Sequence, residues 1–406
     1  MRYYSTNHAS RIVDFREATI KGQPEDKGLY FPESIPTISE LDLPREELAL
    51  QVIKPYVGKT IPQNELERIV AETINFDFPL VKIDENSYAL ELFHGPTLAF
   101  KDVGARFMSK CLEYFVRNNN RKVIVLTATS GDTGGAVANG FYKAEGIDVV
   151  ILYPSKKVSH VQELQLTTLG HNIHALEIDG SFDDCQRLVK QAFADESLNG
   201  PLMLTSANSI NVARWLPQQF YYFFAYQQWP DKSNPPVISV PSGNFGNLCA
   251  GLLAYRSGLP VAHFIAACNA NDEVPKYFET GIYKPQRSIP TLSNAMDVGD
   301  PSNFVRMTEL FNYDELSKLV TSYSISDDET RCIMKETSNY LLDPHGAVAY
   351  ASLKKYGRKG IFLETAHPIK FGDEVPKSLL NKKKEATQMQ PDYLQLKDYL
   401  FSQFPK

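Results

Sequence analysis

Apolar and small residues fall at Gly104, Phe107, Met108, Cys111, Leu112 and Phe115. That is the i, i+3, i+4 spacing of one buried helical face. Lys101 stands just before this run, and its neighbour Asp102 is expected to cap the helix amides. Residues 40–54 and 63–74 carry the same helical period, so the first 85 residues read as mainly helical. Further along the period shortens. Apolar runs at 122–128, 148–153 and 172–178 predict strands, and a helix over 159–169 closes at Gly170. The alternation resumes with strands at 236–240, 262–267 and 360–364 and a helix at 248–255. The capping box Ser326-Asp-Asp-Glu329 opens another helix, expected to reach residue 342. Strands alternating with helices imply α/β architecture with a parallel sheet covered on both faces. The lysine run from residue 382 should end the α/β part, and residues 393–401 form an amphipathic piece expected to pack back on the body.

Composition narrows the function classes. The chain has 406 residues, enough for about two or three domains. A net charge of -6 points to neither nucleic acid nor an anionic membrane. The first residues lack an apolar run, so no secretory signal is expected, and no segment has the apolar length of a bilayer span. Five cysteines, an odd number without Cys-x-x-Cys, fit reduced thiols in a cytoplasmic protein. His171 and His174 resemble a metal pair, but no neighbouring carboxylate or cysteine completes it, so both read as ordinary residues at a strand.

Three turns lie after a strand and before a helix, where ligands of open α/β sheets gather. Thr129-Ser-Gly-Asp-Thr-Gly-Gly135 is small and rich in donors, suited to an anion. Ser242-Gly-Asn-Phe-Gly-Asn247 matches neither the nucleoside-triphosphate nor the dinucleotide glycine pattern, and suits one phosphate monoester. Asn208-Ser-Ile-Asn-Val-Ala-Arg214 places an arginine fork beside amide and hydroxyl donors, suited to a second anion. Each motif alone fits an ordinary tight turn or helix start. Together with a lysine at a helix entry, they suggest pyridoxal phosphate, which needs an amine for its aldehyde and a nest for its phosphate.

Over nearly its full length the chain resembles the threonine synthase family of fold-type II pyridoxal-phosphate enzymes. The resemblance rests on Lys27-Gly-Leu-Tyr-Phe-Pro-Glu33, Phe93-His-Gly-Pro-Thr-Leu-Ala-Phe-Lys-Asp102, Thr129-Ser-Gly-Asp-Thr-Gly134, Ala207-Asn-Ser-Ile-Asn211, the Ser242–Asn247 turn, Leu292-Ser-Asn-Ala-Met-Asp-Val-Gly299 and Thr365-Ala-His-Pro-Ile-Lys-Phe371. Their conjunction in this order is specific, whereas Phe-Lys-Asp alone is not.

The resemblance implies two open α/β lobes, as in tryptophan synthase β-like folds, with an N-terminal mainly helical extension over 1–85. The catalytic part would span 86–385, its small lobe about 111–214, with a tail at 386–406. Lys101 would carry the cofactor and move protons. Gly243, Asn244, Phe245, Gly246 and Asn247 would cradle the cofactor phosphate, and Thr365 would face the pyridine nitrogen. Asp132 would lie near the ring oxygen, expected to be protonated or to share a proton there because like charges repel. Ser130, Gly131 and Thr133 would bind the substrate carboxylate. Arg214, Asn208, Ser209 and Asn211 would bind the substrate phosphate, with Lys157 beside them, although Lys156 competes for that place. The implied substrate is O-phospho-L-homoserine and the product L-threonine. Another phospho-lyase of this fold and a non-catalytic phosphate-ligand binder remain rivals. Monomer and homodimer are both open.

Overall fold

Two mostly parallel sheets carry the α/β part of the chain. The computed structural model describes residues 1–117, 121–199, 201–337, 339–372, 374–380 and 382–404. In the larger sheet the strand order is Val320–Ser324, His263–Cys268, Val237–Pro241, Gly360–Glu364, Ser87–Glu91 and Leu80–Lys82. Only Leu80–Lys82 runs antiparallel to its neighbour. In the smaller sheet the order is Thr387–Met389, Ile173–Ile178, Ile147–Pro154, Val123–Ala128 and Met203–Thr205, all parallel.

The strand sequences explain this arrangement. Val123–Ala128 and Ile147–Pro154 are buried at every position. Helices cover both faces, so these strands read as continuous apolar runs rather than alternating ones. Lys101–Val116 buries Phe107, Met108, Cys111, Leu112 and Phe115, the face its spacing predicts. That helix shares one core with Phe15, Ile53, Ile69 and Trp215, which joins the N-terminal extension to the catalytic part.

Four features depart from the sequence expectation. The N-terminal extension contains the expected helices, Arg45–Val57 and Gln63–Thr73. It also holds an antiparallel sheet of Val13–Asp14, Arg2–Ser5 and Tyr30–Pro32, strands too short to show a period. The helix opened by Ser326 stops at Glu336. A separate helix, Pro344–Tyr356, follows, with Asp343 as its cap and Pro344 in its first turn. Its positions from Pro344 to Leu353 are all buried, so it has no polar stripe for periodicity to find. Residues beyond 386 are built into the small lobe: Thr387–Met389 extends its sheet, and Leu396 and Leu400 of helix Tyr393–Gln403 pack with Leu188 and Val189.

Asp102 does not cap its helix. It is already the second helical residue, and its carboxylate accepts from the backbone N–H of Thr97 at 2.9 Å and from the Thr97 hydroxyl. It therefore ties the helix start back onto the turn that precedes Lys101.

Candidate active site

Strand order brings the motif turns together. Ser87–Glu91, Gly360–Glu364 and Val237–Pro241 are adjacent and parallel. Their carboxyl ends lead into the Lys101 turn, Thr365 and the Ser242–Asn247 turn. In the small lobe Ile147–Pro154, Val123–Ala128 and Met203–Thr205 are likewise adjacent and parallel. Their carboxyl ends lead to Lys157, the Thr129–Gly135 turn and the Asn208–Arg214 loop.

The Lys101 turn is fastened to the Thr365 segment by backbone. Phe100 N–H donates to the Thr365 carbonyl at 2.9 Å, and His367 N–H to the Leu98 carbonyl at 3.0 Å. Tyr221 donates its hydroxyl to the Phe100 carbonyl. The Lys101 amine stands 5.7 Å from the centre of the Phe100 ring. Burial lowers the Lys101 amine from 10.5 to about 8; Asp132 opposes this, while Lys370 and Arg214 add to it. A half-buried amine of this kind can both attack an aldehyde and accept a proton.

The Ser242–Asn247 turn is shaped for an anion. Phe245 has a φ of 58° and precedes helix Gly246–Arg256, so a left-handed residue and free helix amides adjoin. A Cβ on Gly243 would lie 2.5 Å from Met296 Cα, so the Asn294–Met296 turn presses directly on this turn. Asn247 accepts from the Tyr222 hydroxyl at 2.8 Å, while its buried Nδ2 is without a partner. Orphaned buried donors at a nest indicate a missing acceptor.

The small-lobe turn is held by Thr129, whose hydroxyl oxygen accepts from the N–H groups of Gly131 at 3.0 Å and Gly134 at 2.8 Å. Gly131 has a φ of 149°, and a Cβ there would be 2.6 Å from the Gln162 side chain. Ser130 and Thr133 keep partial exposure beside it, with Gly131 buried between them. Asp132 is buried, with Lys370 Nζ 2.5 Å from its Oδ1 and Gln162 Nε2 donating to the same oxygen at 3.0 Å. Burial alone would raise its carboxyl; Lys370 and Lys101 more than offset that and hold it well below the usual range. The expectation that Asp132 is protonated or shares a proton with the ring oxygen did not foresee that the carboxylate has a cation of its own, Lys370. No spacing rule singles out Lys370, which the sequence shows only as one residue of the last motif.

The Asn208–Arg214 residues divide. Arg214 is buried, donates to the Ala207 carbonyl, and leaves Nε unpartnered. It is ion-paired to no carboxylate among the described residues, and burial lowers it to about 10, so it stays cationic. A Cβ on Gly104 would lie 2.6 Å from the Arg214 carbonyl, which sets Arg214 directly against the Lys101 helix. Asn208 accepts from the Thr127 hydroxyl at 2.7 Å, and Ser209 accepts from Asn244 Nδ2 at 2.6 Å. Asn211 is corrected: it serves the fold instead of a ligand. Its Oδ1 caps Ala213 N–H, and its Nδ2 donates to the carbonyls of Thr19 and Ser206, leaving no polar atom free. Lys157 is exposed. Arg306, absent from the sequence expectation, lies fully buried and donates to the carbonyls of Ser209, Ile210 and Tyr30. It supports the loop from behind.

These features fit pyridoxal phosphate. The nest, the orphaned Asn247 donor and the depressed amine are what its phosphate and aldehyde require.

The comparisons with known proteins agree. A model described as pyridoxal-phosphate dependent enzyme matches residues 75–365, and one described as threonine synthase N terminus matches residues 2–74. A threonine synthase of Haemophilus influenzae is 46% identical, covering 98% of this chain and 99% of its own length. The crystal structure of threonine synthase from Escherichia coli superposes with a TM-score of 0.93 at 41% identity, over 99% of this chain and all of that one (100%). The pyridoxal-phosphate-bound threonine synthase of Brucella melitensis superposes with a TM-score of 0.93 at 32% identity, over 100% of both chains.

Proposed function

This chain belongs to the threonine synthase family of pyridoxal-phosphate-dependent enzymes, and from that premise we propose that it converts O-phospho-L-homoserine and water to L-threonine and inorganic phosphate. It is a lyase acting on a small molecule. No helix among the described residues is long and apolar enough to cross a membrane.

When bound, pyridoxal phosphate supplies the electron sink for charge developing beside the substrate amine. The residues of this chain do the rest. Gly243, Asn244, Phe245, Gly246 and Asn247 would hold the cofactor phosphate with nest and helix amides, and Thr365 would offer its hydroxyl to the pyridine nitrogen. A hydroxyl there favours the charged ring less than an aspartate would. Ser130, Gly131 and Thr133 bind the substrate carboxylate. Neutral Lys101 takes the proton from Cα, moves one from Cβ to Cγ, which becomes the methyl carbon once the phosphate has left, and finally returns the Cα proton. Arg214, with Asn208 and Ser209, stabilises the phosphate leaving Cγ, which carries about -1.5 to -2 charges. Lys157, exposed just after strand Ile147–Pro154, is the further candidate for that phosphate. Water adds its hydroxyl at Cβ and its other proton goes to the released phosphate, so hydrogen balances along with carbon, oxygen and phosphorus.

One observation supports this reading most: a buried arginine, ion-paired to no carboxylate among the described residues, lies against the helix that begins with the depressed lysine. Arg306, likewise buried, donates to Asn303 and to the carbonyls of Ser209, Ile210 and Tyr30, whereas Arg214 donates to the Ala207 carbonyl and leaves its Nε unpartnered, so Arg214 has donors to offer an anionic ligand. The test is to supply O-phospho-L-homoserine and quantify threonine and phosphate together. Equal amounts are expected. Phosphate with 2-oxobutyrate would assign another phospho-lyase, and binding without turnover would assign a phosphate-ligand binder.

A further inference from the structure

Lys370 follows strand Gly360–Glu364 of the large sheet, in the short helical turn Pro368–Phe371, and is fully buried. Its partner Asp132 begins helix Asp132–Gly140, which follows strand Val123–Ala128 of the small sheet. The pair therefore crosses from one lobe to the other. Lys370 Nζ also donates to the Thr97 carbonyl at 2.9 Å. Helix His160–Thr167 meets the same two acceptors: Gln162 donates to Asp132, and Gln165 to the Thr97 carbonyl, at 3.0 and 2.9 Å. Thr97 in turn is held by Asp102, the residue after Lys101.

Among the described residues, three charged groups act most strongly on Lys101. Asp132 faces it from the small-lobe turn, Lys370 from the turn Pro368–Phe371, and Arg214 from helix Val212–Trp215. The neighbouring Asp102 points to Thr97. Asp132 pairs with Lys370 at 2.5 Å and is also acted on electrostatically by Lys101 and His345. A lone buried carboxylate at position 132 would pair with the Lys101 ammonium and keep it protonated, which is the wrong state for a base.

We propose that Lys370 is a positioning residue that claims Asp132 across the lobe boundary and so frees Lys101 to act uncharged. This rests on the reading of Lys101 as the base. Its test is separable from that reading, because the amine can be probed in cofactor-free protein without any turnover.

The experiment measures the pH at which Lys101 becomes reactive toward trinitrobenzenesulfonate in cofactor-free protein, followed by peptide mass spectrometry. Lys370→Met, Asp132→Asn and the double variant are compared, with the acid limb of kcat/KM as a second readout. Lys370→Met should move both transitions to higher pH, because Asp132 is left to Lys101. Asp132→Asn should move them to lower pH, because an unpaired Lys370 then faces the amine. The double variant should fall between the two. A pair that only braces the fold would lower activity equally at all pH values and leave the Lys101 transition in place, and that result would overturn the proposal. If Lys370→Met does not fold, Asp132→Asn still decides it: an unchanged or upward shift contradicts the assignment.

Discussion

The side-chain amide of Asn244 donates to the Ser209 hydroxyl at 2.6 Å. Asn244 belongs to the turn proposed for the cofactor phosphate, and Ser209 to the loop proposed for the substrate phosphate. The two anion sites therefore share a hydrogen bond. Asn303 reinforces the junction, donating to the Asn244 carbonyl at 2.9 Å. Asn244→Ala should weaken cofactor binding and raise KM together, each by roughly tenfold for about 1.4 kcal/mol lost. Ser209→Ala added to it should cost less than the sum of the single changes. Cofactor titration and steady-state kinetics on the four proteins check this; strictly additive effects would disprove the shared bond.

Gly243→Ala tests the close approach of the two turns. The added methyl would meet the Met296 backbone at 2.5 Å, and neither segment is a flexible side-chain end. Overpacking of this kind costs about 1–3 kcal/mol. The expected outcome is a folded protein with cofactor affinity reduced tenfold or more, read by absorbance titration. Unchanged affinity would show that the turn tolerates displacement.

Asn211→Ala separates a structural role from a ligand role. The cap to Ala213 is worth about 1 kcal/mol. The orphaned carbonyls of Thr19 and Ser206 add about 1–3 kcal/mol. The midpoint of thermal unfolding should fall while KM for O-phosphohomoserine stays within about twofold, a change of under about 0.5 kcal/mol. A raised KM at unchanged stability would return Asn211 to the substrate site.

Glu364 gives a pH dependence of stability. It ends the strand beside Thr365, and burial raises its carboxyl far above the usual value, with the Asp343 and Glu91 carboxylates adding to this. A raised folded value means that the unfolded state loses the proton first. The contribution of Glu364 is thus complete below about 4.3, the ordinary glutamate value, and is lost as pH rises toward the folded value. Glu364→Gln should flatten that decline, measured as urea midpoints across the range. A slope identical to that of the unaltered chain would mean that Glu364 is already ionised.

The parts legible in the sequence were those with a period or a punctuation mark. Apolar runs located the strands and the Ser326 capping box located a helix start, and the glycine turns marked the proposed anion sites. What stayed hidden depends on contacts between distant segments. Lys370 looks like any lysine until Asp132 is brought to it, 238 residues earlier in the chain (370 less 132). Arg306 is fully buried, as are positions Pro344 to Leu353 of helix Pro344–Tyr356, and neither carries an amphipathic signature. Asn211 reads as a ligand because a capping amide and a binding amide look alike in sequence.

The most direct measurement is covalent. Pyridoxal phosphate is added, the protein is reduced with borohydride, and its peptides are mapped by mass spectrometry. The pyridoxyl group is predicted on Lys101, and Lys101→Ala should show neither the adduct nor turnover. An adduct on Lys370 or another lysine with turnover intact, or none on the unaltered chain, would contradict the assignment of residue 101.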